Sequence, residues 1–419
     1  MRLYSRASVS PRCDAAGLIV ALSGRLLAEA AVAAGLTVDV ADLFGDTDCR
    51  AAARHHHPLP GTPDGLAWQP EAVVAWVQAW ARRHPGRWLL PGTGFEAQPD
   101  LLAACATWLP LAGNPAAVVT TAKDPTTLAA HCADLGVGFP VTRTTPPPAE
   151  QGQRQMPQDK PLWLFKPAAG CGGLGIQTWT ASAGSAMPPP GYWQHRLAGT
   201  PVSLLFLATA AGCTPIAVHQ QVLAPSPAAP FRFGGVIAWP DAPAALVAEL
   251  QRAASGLAAR LNLRGLNGLD GVWDGNRLWV LEINPRPPLS LTLQPPAHQG
   301  RLLRAHLRAC LPTRTFAPRA VHADARRQAM PEAADREHRT GLSPGVALVY
   351  ASRSLSIPAD FRFPPNCHDV PALPATLPDG VPVCSVHVPD GGLGELRTEI
   401  GYLRECLLSV AGVESLSSL

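Results

Sequence analysis

The sequence predicts an α/β protein, α+β in parts, that opens on a doubly wound domain and closes on a small β-rich one. Residues 17–42 read strand, helix, strand: "GLIVALSG" is a buried run, "RLLAEAAVAAG" is made of good helix formers and ends at Gly35, and "LTVDVAD" is a second β-branched run. That order opens a doubly wound sheet. The middle, 192–300, holds several strands and one amphipathic helix, "APAALVAELQRAASGLAARLNL". The tail returns to strands, "GVALVYAS" and "VPVCSVHV", and ends in the amphipathic helix "GELRTEIGYLRECLLSVAG".

Composition bounds the function. With 419 residues, 47% hydrophobic and 16% charged, the chain is globular and has room for two to four domains. A net charge of +3 is too small to argue for a nucleic-acid partner. The ten cysteines include no CxxC pair, so they read as buried reduced thiols and not as a zinc site or disulfide framework. The stretch "MRLYSRASVSPRCDAAGLIVALSG" lacks a long apolar core followed by a small-residue cleavage site, and no run reaches ~18 apolar residues. The expectation is a soluble, cytoplasmic protein without a membrane partner.

The first strand is followed by the turn "SGR", which has one glycine and lacks G-x-G-x-x-G, so a dinucleotide site is not expected despite Asp42 at the end of the next strand. The later strand in "RWLLPGTGFE" ends in a loop at Gly92–Glu96. Ligands sit outside the carboxyl ends of such strands, which makes Glu96 a candidate substrate-binding acid; a solvated loop acid is the equal alternative. A second unit begins near Asn114, with a helix in "AKDPTTLAAHCADLGVGFPVT" capped by Asp124 or a threonine. Residues 146–161 are a polar, proline-rich surface loop. The expected divisions are 1–112, an N-terminal doubly wound domain; 113–190, a unit with the glycine-rich loop; 191–317, a larger unit with the strand at 278–284; 318–339, a linker; and 340–419, a small β-rich domain.

The most informative stretch is "LWVLEINPRP", residues 278–287. Alternation puts Leu278, Val280, Glu282 and Asn284 on one strand face, with Trp279 and Leu281 on the other. The hairpin partner is "LNGLDGVW", turning at "DGN". A three-residue loop centred on Gly275 sets Asp270 opposite Val280 and diagonal to Glu282. A two-residue Asp-Gly loop, which short hairpins favour, sets it opposite Trp279 on the wrong face. With the odd loop, two carboxylates and an amide converge. Like charges at close range call for a cation, and oxygen ligands suit Mg²⁺. A salt-bridged strand end is the alternative. Upstream, "LFKPAAGCGGLGI" places Lys166 on a strand before a loop in which Gly170, Gly172, Gly173 and Gly175 allow a phosphate to approach backbone amides. It is not a P-loop, because Gly-Lys-Ser/Thr is missing. Cys171 reads as a small loop residue.

Together these elements resemble the ATP-grasp superfamily over residues ~110–300. The resemblance implies a nucleotide-binding role for Lys123 of "AKDP", Lys166 and the glycine loop. It implies adenine contacts from the backbone at Gln194, His195 and Arg196 of "YWQHRLAGTPVS", with Leu281 packing on the base. Asp270, Glu282 and Asn284 match the metal ligands, and Arg286 the anion-stabilising arginine of "E-x-N-P-R"; Arg232 of "FRFGG" is a second catalytic candidate or a surface arginine. Gln194 stands where many relatives have glutamate. The implied cofactors are ATP and Mg²⁺ or Mn²⁺, and the implied reaction is phosphorylation of a small-molecule carboxylate to an acylphosphate that an amine attacks. A homodimer is compatible with these observations, which do not fix the oligomeric state. A narrower similarity, through "PGTGFEAQPDLL", "FRFGG", "LEINPRPPLSL" and the tail, is to ATP-grasp proteins of methylotrophic bacteria related to the tyramine–glutamate ligase of methanofuran biosynthesis. It implies glutamate or a glutamyl compound as the carboxylate and a role in methylofuran or one-carbon cofactor synthesis. A non-catalytic nucleotide-binding protein and a biotin-carboxylase-like enzyme are the alternatives. The latter is opposed by "PPLSL" where "E-x-N-P-R-x-x-x-E-H" would continue.

Two basic stretches are read as structural. "RHHHP", His55–His57, is taken for a solvated loop. "GRLLRAHLRACL" sets Arg301, Arg304 and Arg308 on a solvated helix face opposite Leu303, Leu307 and Cys310.

Overall fold

The computed structural model describes residues 16–62, 67–147, 162–168, 170–179, 189–312 and 343–411. The linker expected at 318–339 and nearly all of the loop expected at 146–161 lie outside them.

The chain begins β1 (Gly17–Ala21), α1 (Arg25–Ala33), β2 (Val38–Asp42), α2 (Thr47–Ala52), β3 (His55–Pro58), α3 (Pro70–Arg83), β4 (Trp88–Pro91), α4 (Pro99–Ala106). The strands form a parallel sheet in the order β3-β2-β1-β4. Alternation along β1 sends Leu18 and Val20 into a core with α3 and α4, and Ile19 and Ala21 into one with α1. Both faces are covered, so the strand reads as a continuous apolar run. The His55–His57 stretch is not a solvated loop. It is the edge strand β3, and the period of two turns His56 inward onto Asp42 while His57 stacks on Trp76 at 4.5 Å.

Next come α5 (Ala116–Lys123), α6 (Pro125–Asp134), β5 (Thr142–Arg143), β6 (Trp163–Pro167), β7 (Gln177–Thr178) and β8 (Gly191–His195). Asp124 caps α6 by accepting from the Thr127 N–H at 2.7 Å. Strands β5–β8 form a small antiparallel sheet in the order β5-β8-β6-β7. It therefore includes β8, which lies past the boundary expected at residue 190.

The third stretch is β9 (Thr200–Thr209), β10 (Gly212–Leu223), β11 (Phe233–Ala238), α7 (Ala244–Arg260), β12 (Gly265–Trp273), β13 (Leu278–Asn284), a 3₁₀ turn and α8 (Pro296–Cys310); β14 (Gly345–Tyr350), β15 (Leu355–Ile357), β16 (Cys367–His368), β17 (Ala375–Leu377), β18 (Pro382–Val388) and α9 (Gly392–Ala411) follow. One eight-stranded sheet, β13-β12-β9-β10-β11-β14-β18-β16, spans both. The tail is thus not a free-standing β domain: β14 pairs directly with β11, and Ile237 of β11 lies in the core that α9 closes. The face bearing Leu204, Phe206, Leu269 and Val280 is buried under α7, together with Leu128 and Val137 from the α6 region. The other face carries the polar groups described next. In α8, Leu303 and Leu307 are buried against α1 and Arg301 and Arg308 are exposed; Arg304 reaches back to donate to the Ala34 carbonyl.

Candidate active site

The β12–β13 hairpin resolves the open register. Four residues, 274–277, connect Trp273 to the opposing Leu278. Asp274 closes the turn by accepting from the Asn276 and Arg277 N–H groups at 2.8 and 2.7 Å. Neither the two-residue nor the three-residue loop forms. With a four-residue loop alone, Asp270 would face Leu281. A β-bulge between Gly271↔Val280 and Asp270↔Glu282 skips Leu281 and sets the two carboxylates directly opposite. The bulge also inverts the expected alternation. Leu278, Val280 and Ile283 point into the core, whereas Leu281, Glu282 and Asn284 share the open side. Strict alternation would have driven Glu282 into the apolar layer beneath α7, an unaffordable desolvation for a carboxylate.

Around this pair the polar groups form a chain. The Asn284 amide donates to Asp270 Oδ2 at 2.7 Å, and its carbonyl accepts from Lys123 Nζ at 3.0 Å; Lys123 also reaches Glu282 Oε2 at 3.0 Å. Burial raises the Asp270 pKa, and the facing Glu282 charge adds to it. Burial also opposes ionisation of Glu282, but Lys123 and Lys166 outweigh it and hold Glu282 below the usual carboxylate range. Lys166, on β6, is shifted down by burial despite Glu282 nearby. Between α5, β6, β8 and the bulge lies a cleft lined by Ala122, Lys123, Leu128, Pro167, Tyr192 and Leu281, with Glu282 at its rim, 39% of its side chain exposed.

The glycine loop lies folded over this cleft. Gly172, Gly173 and Gly175 have positive φ of 61°, 72° and 71°. The Gly172 carbonyl accepts from the Phe233 N–H at 2.8 Å, which ties the loop to the start of β11. A Cβ on Gly173 would lie 1.9 Å from the Phe231 carbonyl oxygen; one on Gly172 would meet nothing within 4 Å. Alanine in the left-handed region costs about 1–2 kcal/mol, and Gly173→Ala adds a backbone clash. Gly173→Ala is therefore expected to lower turnover at least about tenfold, more than Gly172→Ala, with the circular dichroism spectrum unchanged. Equal effects of the two variants would contradict a docked loop.

Arg286 follows β13 and reaches across to the N-terminal unit. Its Nε donates to Glu96 Oε1, and Glu96 Oε2 accepts from the Gly94 N–H at 2.9 Å. Burial disfavours both charges, yet each partner favours the other's ionised form: Glu96 is shifted down and Arg286 up. Glu96, expected as a substrate-binding or a solvated acid, is buried with both oxygens engaged, so it is not a solvated loop acid, and it holds Arg286 in place. Asn114 braces the same corner, donating to the Pro285 carbonyl and Asn267 Oδ1, each at 2.9 Å. A small cavity beside the pair is lined by Gly92, Glu96, Asn114 and Arg286.

Other expected residues are placed differently. Arg232 is not a surface arginine: it is buried, donates from Nε to the Ala224 carbonyl at 2.9 Å and lies 3.9 Å over the Tyr350 ring, with its backbone beside Gly173 of the glycine loop. In the hinge, the N–H groups of His195 and Arg196 donate to Val141 and Leu162, at 2.9 and 2.7 Å, and Gln194 is paired on both sides within the β5–β8 sheet. Those two N–H groups are thus taken up by neighbouring backbone carbonyls. Sequence reasoning passed over Tyr192, whose hydroxyl is pushed up by burial and by Glu282, and Asn114, whose role is visible only once distant segments meet.

Residues 133–290 match the family model described as an ATP-grasp domain. No curated protein matches the chain in sequence. Among solved structures, an L-amino acid ligase from Bacillus licheniformis is 14% identical with a TM-score of 0.58, covering 94% of this chain and 97% of its own. The biotin carboxylase domain of the Hydrogenobacter thermophilus 2-oxoglutarate carboxylase, in complex with MgADP, ADP and bicarbonate, is 12% identical with a TM-score of 0.62, covering 96% and 91%. A Rhizobium etli pyruvate carboxylase is 14% identical with a TM-score of 0.63 over 94% of this chain, which spans only 37% of that much longer protein. These likenesses show the fold: it is the ATP-grasp fold.

Proposed function

We propose that this chain, built on an ATP-grasp fold, is an ADP-forming carboxylate–amine ligase. The observation that carries the reading is the facing pair Asp270–Glu282 with Asn284, set beside two lysines and roofed by a glycine loop. Paired carboxylates at this range need a cation. The donors are hard oxygens, and Lys123 is the cation that bridges Glu282 and Asn284 in the structure. That donor set fits Mg²⁺ or Mn²⁺. Asp270, Glu282 and Asn284 would hold that ion, which would supply charge neutralisation during phosphoryl transfer.

The protein's own groups do the rest. The apolar walls at Ala122, Leu128 and Leu281 suit a purine ring, with the β8 hinge alongside. Lys123 and Lys166 sit as point charges for the phosphates, and the amides of the glycine loop cover them. A substrate carboxylate oxygen attacks the γ-phosphorus and ADP leaves. An amine then attacks the acyl carbon, phosphate leaves, and the amine gives up a proton. Arg286, aimed by Glu96, stabilises the anionic intermediate. The narrower sequence similarity points to glutamate or a glutamyl compound as carboxylate and a tyrosine-like or methylofuran precursor as amine.

The test is a screen of amino acids and amines with MgATP. ADP and phosphate are expected only when a carboxylate is present. AMP and pyrophosphate would refute the acylphosphate route, and nucleotide binding without turnover across a broad panel would leave a non-catalytic protein. Turnover with bicarbonate alone would favour the carboxylase-like reading.

A further inference from the structure

We propose that Asp42, Cys49 and His56 form a zinc site at the carboxyl ends of the N-terminal sheet, with the buried acid Asp46 close by. It stands apart from the nucleotide cleft and is independent of the ligase reading. Asp42 ends β2, His56 lies on the neighbouring β3, and Cys49 lies on α2. One ligand atom from each lies within 4.8 Å of the other two. His56 Nε2 is 2.7 Å from Asp42 Oδ1, and Cys49 Sγ is 3.4 Å from Asp42 Oδ2. The Asp42 carboxylate is oriented by N–H groups of Gly24 and Gly45, both at 2.9 Å, as bound carboxylates commonly are.

Asp42 alone would read as a hydrogen-bonded hub, since four donors satisfy it. Asp46 is what that reading leaves unexplained. It is 5% exposed, and its Oδ2 is buried without a hydrogen-bond partner. It faces Asp42, Asp48 and Asp369, so another acid is the last group the site needs. The nearby cation, Arg25, is already engaged by Asp369 at 2.7 and 3.0 Å and by Glu29 at 2.7 Å; Arg50 lies beside Gly45. One sulfur, one imidazole nitrogen and a carboxylate oxygen select zinc over Mg²⁺ or Ca²⁺. Binding releases the thiol proton and fixes the loop before α2. The first turn of α2, which follows that loop, carries the contacts to the C-terminal segment, Thr47 N–H to the Val370 carbonyl at 2.8 Å and Asp369 N–H to Asp48 Oδ2 at 2.7 Å.

Full-length protein purified without a metal-binding tag is stripped with chelator, then titrated with Zn²⁺ and with Co²⁺. About one zinc per chain is expected, and Co²⁺ should give tetrahedral bands with a thiolate charge-transfer absorption. Cys49→Ser should lose that absorption, whereas Cys171→Ser, whose thiol lies in the glycine loop, should keep it. Asp46→Asn should weaken zinc binding about 10–100-fold. Should Cys49→Ser fail to fold, His56→Gln decides in its place: it should lose the tight cobalt bands, and their persistence would overturn the site. Substoichiometric zinc in the wild-type titration, Co²⁺ binding without a thiolate band, or loss of the band in Cys171→Ser would overturn the site.

Discussion

Glu282→Gln is expected to lower turnover by on the order of 10²–10³-fold, the usual effect of removing one fixed charge from a phosphoryl-transfer or oxyanion site, with the fold intact. The substitution keeps the side chain's shape and removes the charge that faces Asp270. Glu282 is 39% exposed at the cleft rim, so the folded state does not depend on it. Relief of like-charge repulsion offsets the lost contact with Lys123. Turnover and thermal melting of the variant, measured side by side, check this; near-normal activity at an unchanged melting temperature would remove Glu282 from the metal set.

Arg286→Ala is expected to cost about 3–5 kcal/mol of stability as well as activity, because it leaves Glu96 buried and unpaired. The pH dependence has a definite sign. Glu96 has a depressed folded-state pKa, so its pairing stabilises the fold above the unfolded carboxylate pKa and is lost as pH falls through the lower folded value. The wild-type advantage over Arg286→Ala should therefore be largest near neutrality and shrink in acid. Glu96→Gln in the Arg286→Ala background should restore part of the stability and none of the activity. Denaturant melts of the four proteins of that cycle separate the structural effect from the chemical one. A stability loss independent of pH would contradict the buried ion pair.

Much of the scaffold was legible in the sequence because it follows from periodicity. The doubly wound opening, the long helix at 244–260, the tail strands and the terminal helix all sit where apolar spacing places them. Chemistry-bearing residues were legible as types: Lys123, Asp270, Glu282 and Asn284 do converge. Their geometry was not, since it turns on one bulge at Leu281 that alternation cannot reveal. Burial of Arg232 over Tyr350 and the Glu96–Arg286 pair join residues 118 and 190 positions apart, and no local pattern encodes such a contact. The three histidines misled for the opposite reason: a polar run reads as loop, yet His56 turns inward to an acid that only the fold supplies.

The central claim is that the cleft makes an acylphosphate. Wild-type protein, MgATP, a carboxylate panel headed by glutamate and glutamyl compounds, and hydroxylamine in place of the true amine test it most directly. The account predicts a hydroxamate formed with stoichiometric ADP, dependent on the carboxylate, and suppressed in both Lys166→Ala and Arg286→Ala, with nucleotide affinity weakened mainly in the first. ATP binding with no hydroxamate from any carboxylate in the panel would contradict it.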